Sequence, residues 1–73
     1  MEVKLSNFKV QKNGIIKRVV ENHLSAKLFE FGILPGAHFS VLNRAPFNGP
    51  IFIMIDNNRI ALRRNEADFI IVE

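Results

Sequence analysis

The chain has 73 residues, with ten Lys plus Arg against seven Asp plus Glu, a net charge of +3 and no cysteine. That length holds one domain, and a domain near this size buries only about 60% of the surface its unfolded chain exposes. The missing cysteines exclude a disulfide scaffold and any cysteine-ligated zinc or iron–sulfur site. The longest unbroken apolar run, Ile51 to Ile55, has five residues, whereas a membrane span needs about 20. The opening MEVKLSNFKV alternates polar and apolar residues and does not read as a secretory signal. A soluble, cytoplasmic protein with no direct membrane insertion is expected. Its basic residues are scattered, and the only adjacent pairs are Lys17-Arg18 and Arg63-Arg64. Such a distribution suits an acidic protein or phospholipid surface as well as a nucleic acid.

In chain order, Val3 to Val10 leads to an expected turn at Lys12-Asn13-Gly14. The segment GIIKRVV, Gly14 to Val20, reads as a strand with Ile16 and Val20 on one face and Ile15 and Val19 on the other. One helix follows. Ser25 is its expected N-cap, its side-chain oxygen taking a free backbone N–H of the first turn. Leu24 and Phe29 have the spacing of a hydrophobic staple, and Leu24, Leu28 and Phe31 lie along one stripe. Gly32 stands where a left-handed residue closes a helix, and Pro35 prevents continuation. About two turns of helix result, too short to persist without packing. Pro35-Gly36 is then a turn pair.

The strand AHFSVLNR puts Phe39 and Val41 on one face and His38, Ser40, Leu42 and Arg44 on the other. In IFIMID, Ile51, Ile53 and Ile55 oppose Phe52 and Met54. Asp56 to Arg59 reads as a tight hairpin, because Asn tolerates positive φ. The return strand RIALRR places Ile60 and Leu62 inward, Ala61 and Arg63 outward. Asn65 is the expected cap of a single turn, NEAD, before the closing strand FIIVE. The fold class is all-β with one short helix. About five short strands with tight turns argue for a small, partly open barrel.

A short helix ending FGILPG, a strand, then RAPFNGPIFIMI and RIALRRNEADFIIV together resemble the FeoA family over roughly residues 14–73. One departure is Asn48-Gly49, where the family turn often carries two glycines. The resemblance implies a single SH3-like barrel over residues 1–73, in the cytoplasm. It further implies an accessory protein of ferrous iron uptake acting on FeoB, the membrane transporter with a cytosolic GTPase domain. A similar fold forms the C-terminal domain of iron-dependent repressors, which makes a stand-alone relative of that domain an alternative reading.

Enzyme chemistry finds no support. No phosphate-cradling glycine loop is present, and Ser6, Ser25 and Ser40 lack the context of a nucleophile. No catalytic residue, cofactor or metal site is therefore assigned. His23, with Glu21 two residues before it, and His38 are too few ligands for a selective metal site. His23 is expected in solvent before the helix and His38 on a strand's outer face. A nucleic-acid platform would need Phe47 and Phe52 beside Arg44 and Arg63, pairing stacking rings with cations. A core or partner-facing role for those residues is the plainer reading.

One feature stands out. A strand at the surface of a small domain normally shows water one polar face, and IFIMI has none. With the isoleucines inward, Phe52 and Met54 remain outside, joined by Leu42 from the preceding strand and Phe47 from the turn. Either the helix or the N-terminal segment covers them, or they form an interaction patch. The expectation is a docking surface of Leu42, Phe47, Phe52 and Met54, rimmed by Arg44 and Arg63, with FeoB as partner or with self-association through the same patch.

Overall fold

The computed structural model describes residues 3–73, so Met1 and Glu2, part of the reading of the N-terminus, lie outside the described residues. Six strands are present among these: β1 (Val3–Lys4), β2 (Asn13–Val19), β3 (His38–Arg44), β4 (Ile51–Ile55), β5 (Asn58–Leu62) and β6 (Ile70–Val72). They form one sheet in the order β1-β6-β2-β3-β4-β5, with every neighbouring pair antiparallel. A 3₁₀ turn (Leu5–Asn7) and two short helices, α1 (Ser25–Glu30) and α2 (Arg64–Ala67), fill the connections. The fold is the SH3-like barrel. The opening segment is not one extended element: two residues pair with β6, and the chain then coils so that Leu5 and Phe8 enter the core.

The core follows the period of two. Ile51, Ile53 and Ile55 are buried, and they stand opposite Leu62, Ile60 and Asn58. Phe39 and Val41 from β3, Ile16 from β2 and Ile70 and Val72 from β6 complete it. Two register shifts break the alternation. In β2, Ile16 pairs with Val72 but Arg18 with Ile71, so Lys17 is an extra residue. An extra residue exchanges the faces of everything beyond it. Val19 therefore packs against the core and Val20 is exposed, although Val20 was expected to share a face with Ile16. In β3 the shift falls between Val41 and Asn43.

The turns obey backbone chemistry, with two displaced from expectation. Asp56 (φ 48°) and Asn57 (φ 68°) form the two-residue turn between β4 and β5, the type whose twist matches that of the strands. Gly36 has φ 91° and the Ala37 N–H bonds the Leu34 carbonyl at 3.0 Å, giving a proline–glycine turn. Gly32, at φ 86°, closes the end of α1. The turn before β2 centres on Gln11 (φ 62°), not on Asn13-Gly14, which already belong to the strand.

Helix α1 is capped from further back than expected. Ser25 lies inside the helix, and Asn22 Oδ1 accepts the Leu24 N–H at 2.7 Å while Ser25 Oγ donates to the Asn22 carbonyl. Leu28 and Ile33 anchor the helix in the core, whereas Phe29 and Phe31 are exposed, so the stripe does not extend to Phe31. Similarly, Asn65 does not cap α2. Glu66, buried, reaches back so that its Oε1 accepts the Arg63 N–H at 2.8 Å and its Oε2 pairs with Lys27 Nζ at 2.8 Å. That ion pair ties α1 to α2.

Burial alone would raise the Glu66 pKa. Hydrogen bonds from Lys27 and the Arg63 backbone, with the charges of Lys27 and Arg63, outweigh burial and hold it below the ordinary value. A carboxyl depressed on folding adds stability above its unfolded pKa of about 4.3 and loses it as pH falls through the folded value. Glu66→Gln should thus cost about 1 kcal/mol at neutral pH, since Lys27 is half in solvent and the pair is screened. Urea melts of both proteins should converge as the pH is lowered below 4; a gap independent of pH would refute the assignment.

Candidate docking face

The outer surface of β3, β4 and β5 is built by cross-strand pairs. Ser40 stands opposite Met54 and Met54 opposite Arg59; Asn43 stands opposite Phe52 and Phe52 opposite Ala61. Side chains so paired lie within about 5.5 Å at Cβ. Phe52 is exposed, and Leu42 and Met54 are half-buried. Leu42, Asn43, Phe52 and Arg59 line a shallow depression. A neighbouring hollow is lined by His38, Ser40, Met54, Asp56 and Asn57 among others.

Neither Phe52 nor Met54 is buried beneath α1, whose anchors Leu28 and Ile33 enter the core from elsewhere. Phe47 is 99% exposed at the tip of the Pro46–Gly49 turn, with φ 59°. Positive φ is costly for a bulky residue, and here it is imposed by the turn that the Gly49 N–H closes on the Pro46 carbonyl at 3.1 Å. Phe47 does not line the depression holding Phe52.

Arg44 requires a correction. Simple alternation puts it on the outer face, but the shift at Leu42 sets it opposite Ile51, on the inward side. Its guanidinium donates to the carbonyls of Ser6 and Phe8, clamping the N-terminal segment over the barrel. It is therefore not part of a cationic rim. Arg63 is exposed just beyond β5. The cation that the sheet brings beside Phe52 and Met54 is Arg59, which the sequence reading left out. Its signal was available: counting back across the Asp56-Asn57 turn places Arg59 opposite Met54.

His23 and His38 are both exposed, His23 in the turn before α1 and His38 on β3. No group of three or more His, Asp or Glu side chains able to hold a metal ion occurs among the described residues. No helix among them is long and apolar enough to cross a membrane. In and around α1 in the chain, Val20, Phe29, Phe31 and Leu34 are also exposed.

The barrel carries one short helix between its second and third strands. The family model for the FeoA domain matches residues 3–73. The chain belongs to the FeoA family. Over its whole length it is 32% identical to an iron uptake regulatory protein, FeoA, covering 96% of that chain with a TM-score of 0.89. It also superimposes on the Stenotrophomonas maltophilia FeoA, a prokaryotic SH3 domain protein complexed with zinc, at 22% identity and a TM-score of 0.86, with 97% of this chain and 89% of that chain covered. A manganese-dependent transcriptional repressor shares the fold at 23% identity and a TM-score of 0.88, and there 97% of this chain spans 40% of the other. No curated protein matches the sequence. Membership of this family ties the chain to iron transport, as an accessory protein.

Proposed function

We propose that this FeoA-family chain is a cytoplasmic accessory protein of ferrous iron uptake that docks, through the outer face of β3–β5, onto the cytosolic part of a FeoB-type GTPase transporter. The observation that carries this reading is the exposed Phe52, flanked by Leu42 and Met54, on a sheet face that α1 leaves open. Aromatic and methionine side chains are adaptable anchors for a protein surface. Arg59 and Arg63 supply the cationic rim, and the exposed Phe47 in the turn between β3 and β4 is a further contact. A docked module can alter a transporter only by binding one of its states more tightly than another.

The test is capture from detergent-solubilised native membranes. Wild type and a Phe52→Asp, Met54→Asp variant, shown to be folded by circular dichroism, serve as baits. Wild type should retain a large GTPase-domain transporter and the variant should lose it, by about tenfold or more given the energy of buried aromatic anchors. Equal capture by both baits would move the site, with the exposed Phe29 and Leu34 next in line. No capture by either would remove the transporter as partner. Retention should survive moderate salt, whereas phosphate-mediated binding to nucleic acid would weaken steeply.

A further inference from the structure

Among the described residues β5 pairs only with β4, and its other edge is the end of the sheet. Which backbone groups it leaves open follows from the hairpin. The pair flanking a two-residue turn exchanges both hydrogen bonds, and bonded and non-bonded pairs then alternate. Ile55–Asn58, Ile53–Ile60 and Ile51–Leu62 are thus bonded, while Arg59 and Ala61 direct their N–H and C=O groups away from β4. Neither residue makes another backbone or side-chain hydrogen bond through those groups among the described residues. Pairing stops at Arg63, whose N–H bonds Glu66 Oε1 and whose carbonyl accepts the Glu66 and Ala67 N–H groups.

The side chains along this edge are Arg59, Ala61 and Arg63, alternate residues facing outward. None of the three is apolar and large, and neither arginine forms an ion pair among the described residues. Glu66, whose pKa the charge of Arg63 helps to lower, is buried and bound by Lys27. Asp68 is held by Ser6 Oγ at 2.5 Å. Ala61 is small and exposed, and it stands opposite Phe52 on the outer face.

We propose that β5 accepts an extended segment of the docking partner as a seventh strand, carrying acidic, apolar and acidic side chains at alternate positions. The apolar residue lies over Ala61 against Phe52; the two acids meet Arg59 and Arg63. Backbone pairing supplies the affinity and the alternate side chains the selectivity, as in strand addition generally. A second copy of this chain is the wrong occupant. Antiparallel pairing of two β5 edges about Ala61 sets Arg59 of one against Arg63 of the other, and like charges directly opposite repel. The inference rests on the docking reading above and specifies the partner's chemistry.

The probe is a capped peptide, Thr-Glu-Val-Leu-Val-Glu-Thr, titrated into the isotope-labelled full chain and followed by NMR. Expected are amide shifts along β5, slowed hydrogen exchange at the Arg59 and Ala61 N–H groups, and binding about tenfold weaker when both Glu are replaced by Lys. An Arg59→Glu, Arg63→Glu variant should reverse that preference and bind the Lys peptide better. Shifts without protection of those two N–H groups, equal affinity for both peptides, or no shift at millimolar peptide would each overturn the proposal. So would displacement of the peptide by a short oligothymidylate, which would assign the arginines to phosphate. If the membrane capture succeeds while the peptide is silent, the edge assignment alone falls. If the peptide pairs with β5 while wild type captures no transporter, the edge stands and the transporter is the wrong partner.

Discussion

Ile53→Ala is expected to destabilise the protein by about 2–5 kcal/mol, the range for a large aliphatic side chain removed from a packed interior. Ile53 is fully buried at the middle of β4, between Val41 on β3 and Ile60 on β5. No neighbouring segment can collapse into the space, because both flanking strands are held by their own pairing. A domain of this length has roughly 4–11 kcal/mol to lose, so a single truncation removes a large part of it. The urea midpoint should fall by about 2 M, given slopes near 1–3 kcal/mol/M for small proteins. The control is one residue away. Phe52→Ala removes a larger side chain from the same strand but from the solvent side, and should cost less than about 1 kcal/mol. Similar losses for the two variants would mean that Phe52 belongs to the core, and the docking face would lose its anchor.

That contrast between adjacent residues was legible in the sequence, because IFIMI carries its own register: three isoleucines at period two, matched by Ile60 and Leu62 after a turn that only a hairpin explains. The inward set, the Asp56-Asn57 turn and the left-handed glycines at 32 and 36 follow from local chemistry alone, and the structure has them. What was not legible was anything that needs pairing. Lys17 and Leu42 are ordinary residues for a strand, and nothing in their identity marks them as the extra residue of a register shift. Yet the shift at Leu42 is what turns Arg44 from a surface cation into a clamp on the Ser6 and Phe8 carbonyls. The helix start was missed for a different reason. Asn22 and Ser25 are both good capping residues, three apart, and both take part, with Asn22 Oδ1 on the Leu24 N–H. The candidate face inherits this division. Phe52 and Met54 could be assigned from alternation, and Arg59 by counting back across the Asp56-Asn57 turn, but the open edge of β5 emerges only once the strands are ordered.

The same limit explains Gly14, and yields a result opposite in sign to the usual expectation. Beside Lys12 and Asn13 it reads as a turn residue, but it lies in β2 directly opposite Phe39, without positive φ. A glycine in a strand marks close approach of another group. Here a Cβ would come within 2.8 Å of ring carbons of both Phe8 and Phe39. Those rings are buried and tilted against each other, with centroids 5.1 Å apart. Gly→Ala in an unstrained strand ordinarily gains about 0.5–1 kcal/mol from the lower entropy of the unfolded chain. At position 14 the methyl group must displace two packed rings, and overpacking of this kind costs about 1–3 kcal/mol. Gly14→Ala should therefore lower stability despite improving strand propensity. Combining it with Phe8→Leu, which frees space at one of the two contacts, should cost less than the sum of the single changes, because residues in contact couple. Melting of the three variants decides the matter: strict additivity, or a stabilised Gly14→Ala, would show that the rings swing aside freely. The aromatic pair would then not be what fixes the N-terminal segment, leaving the Arg44 clamp to hold it.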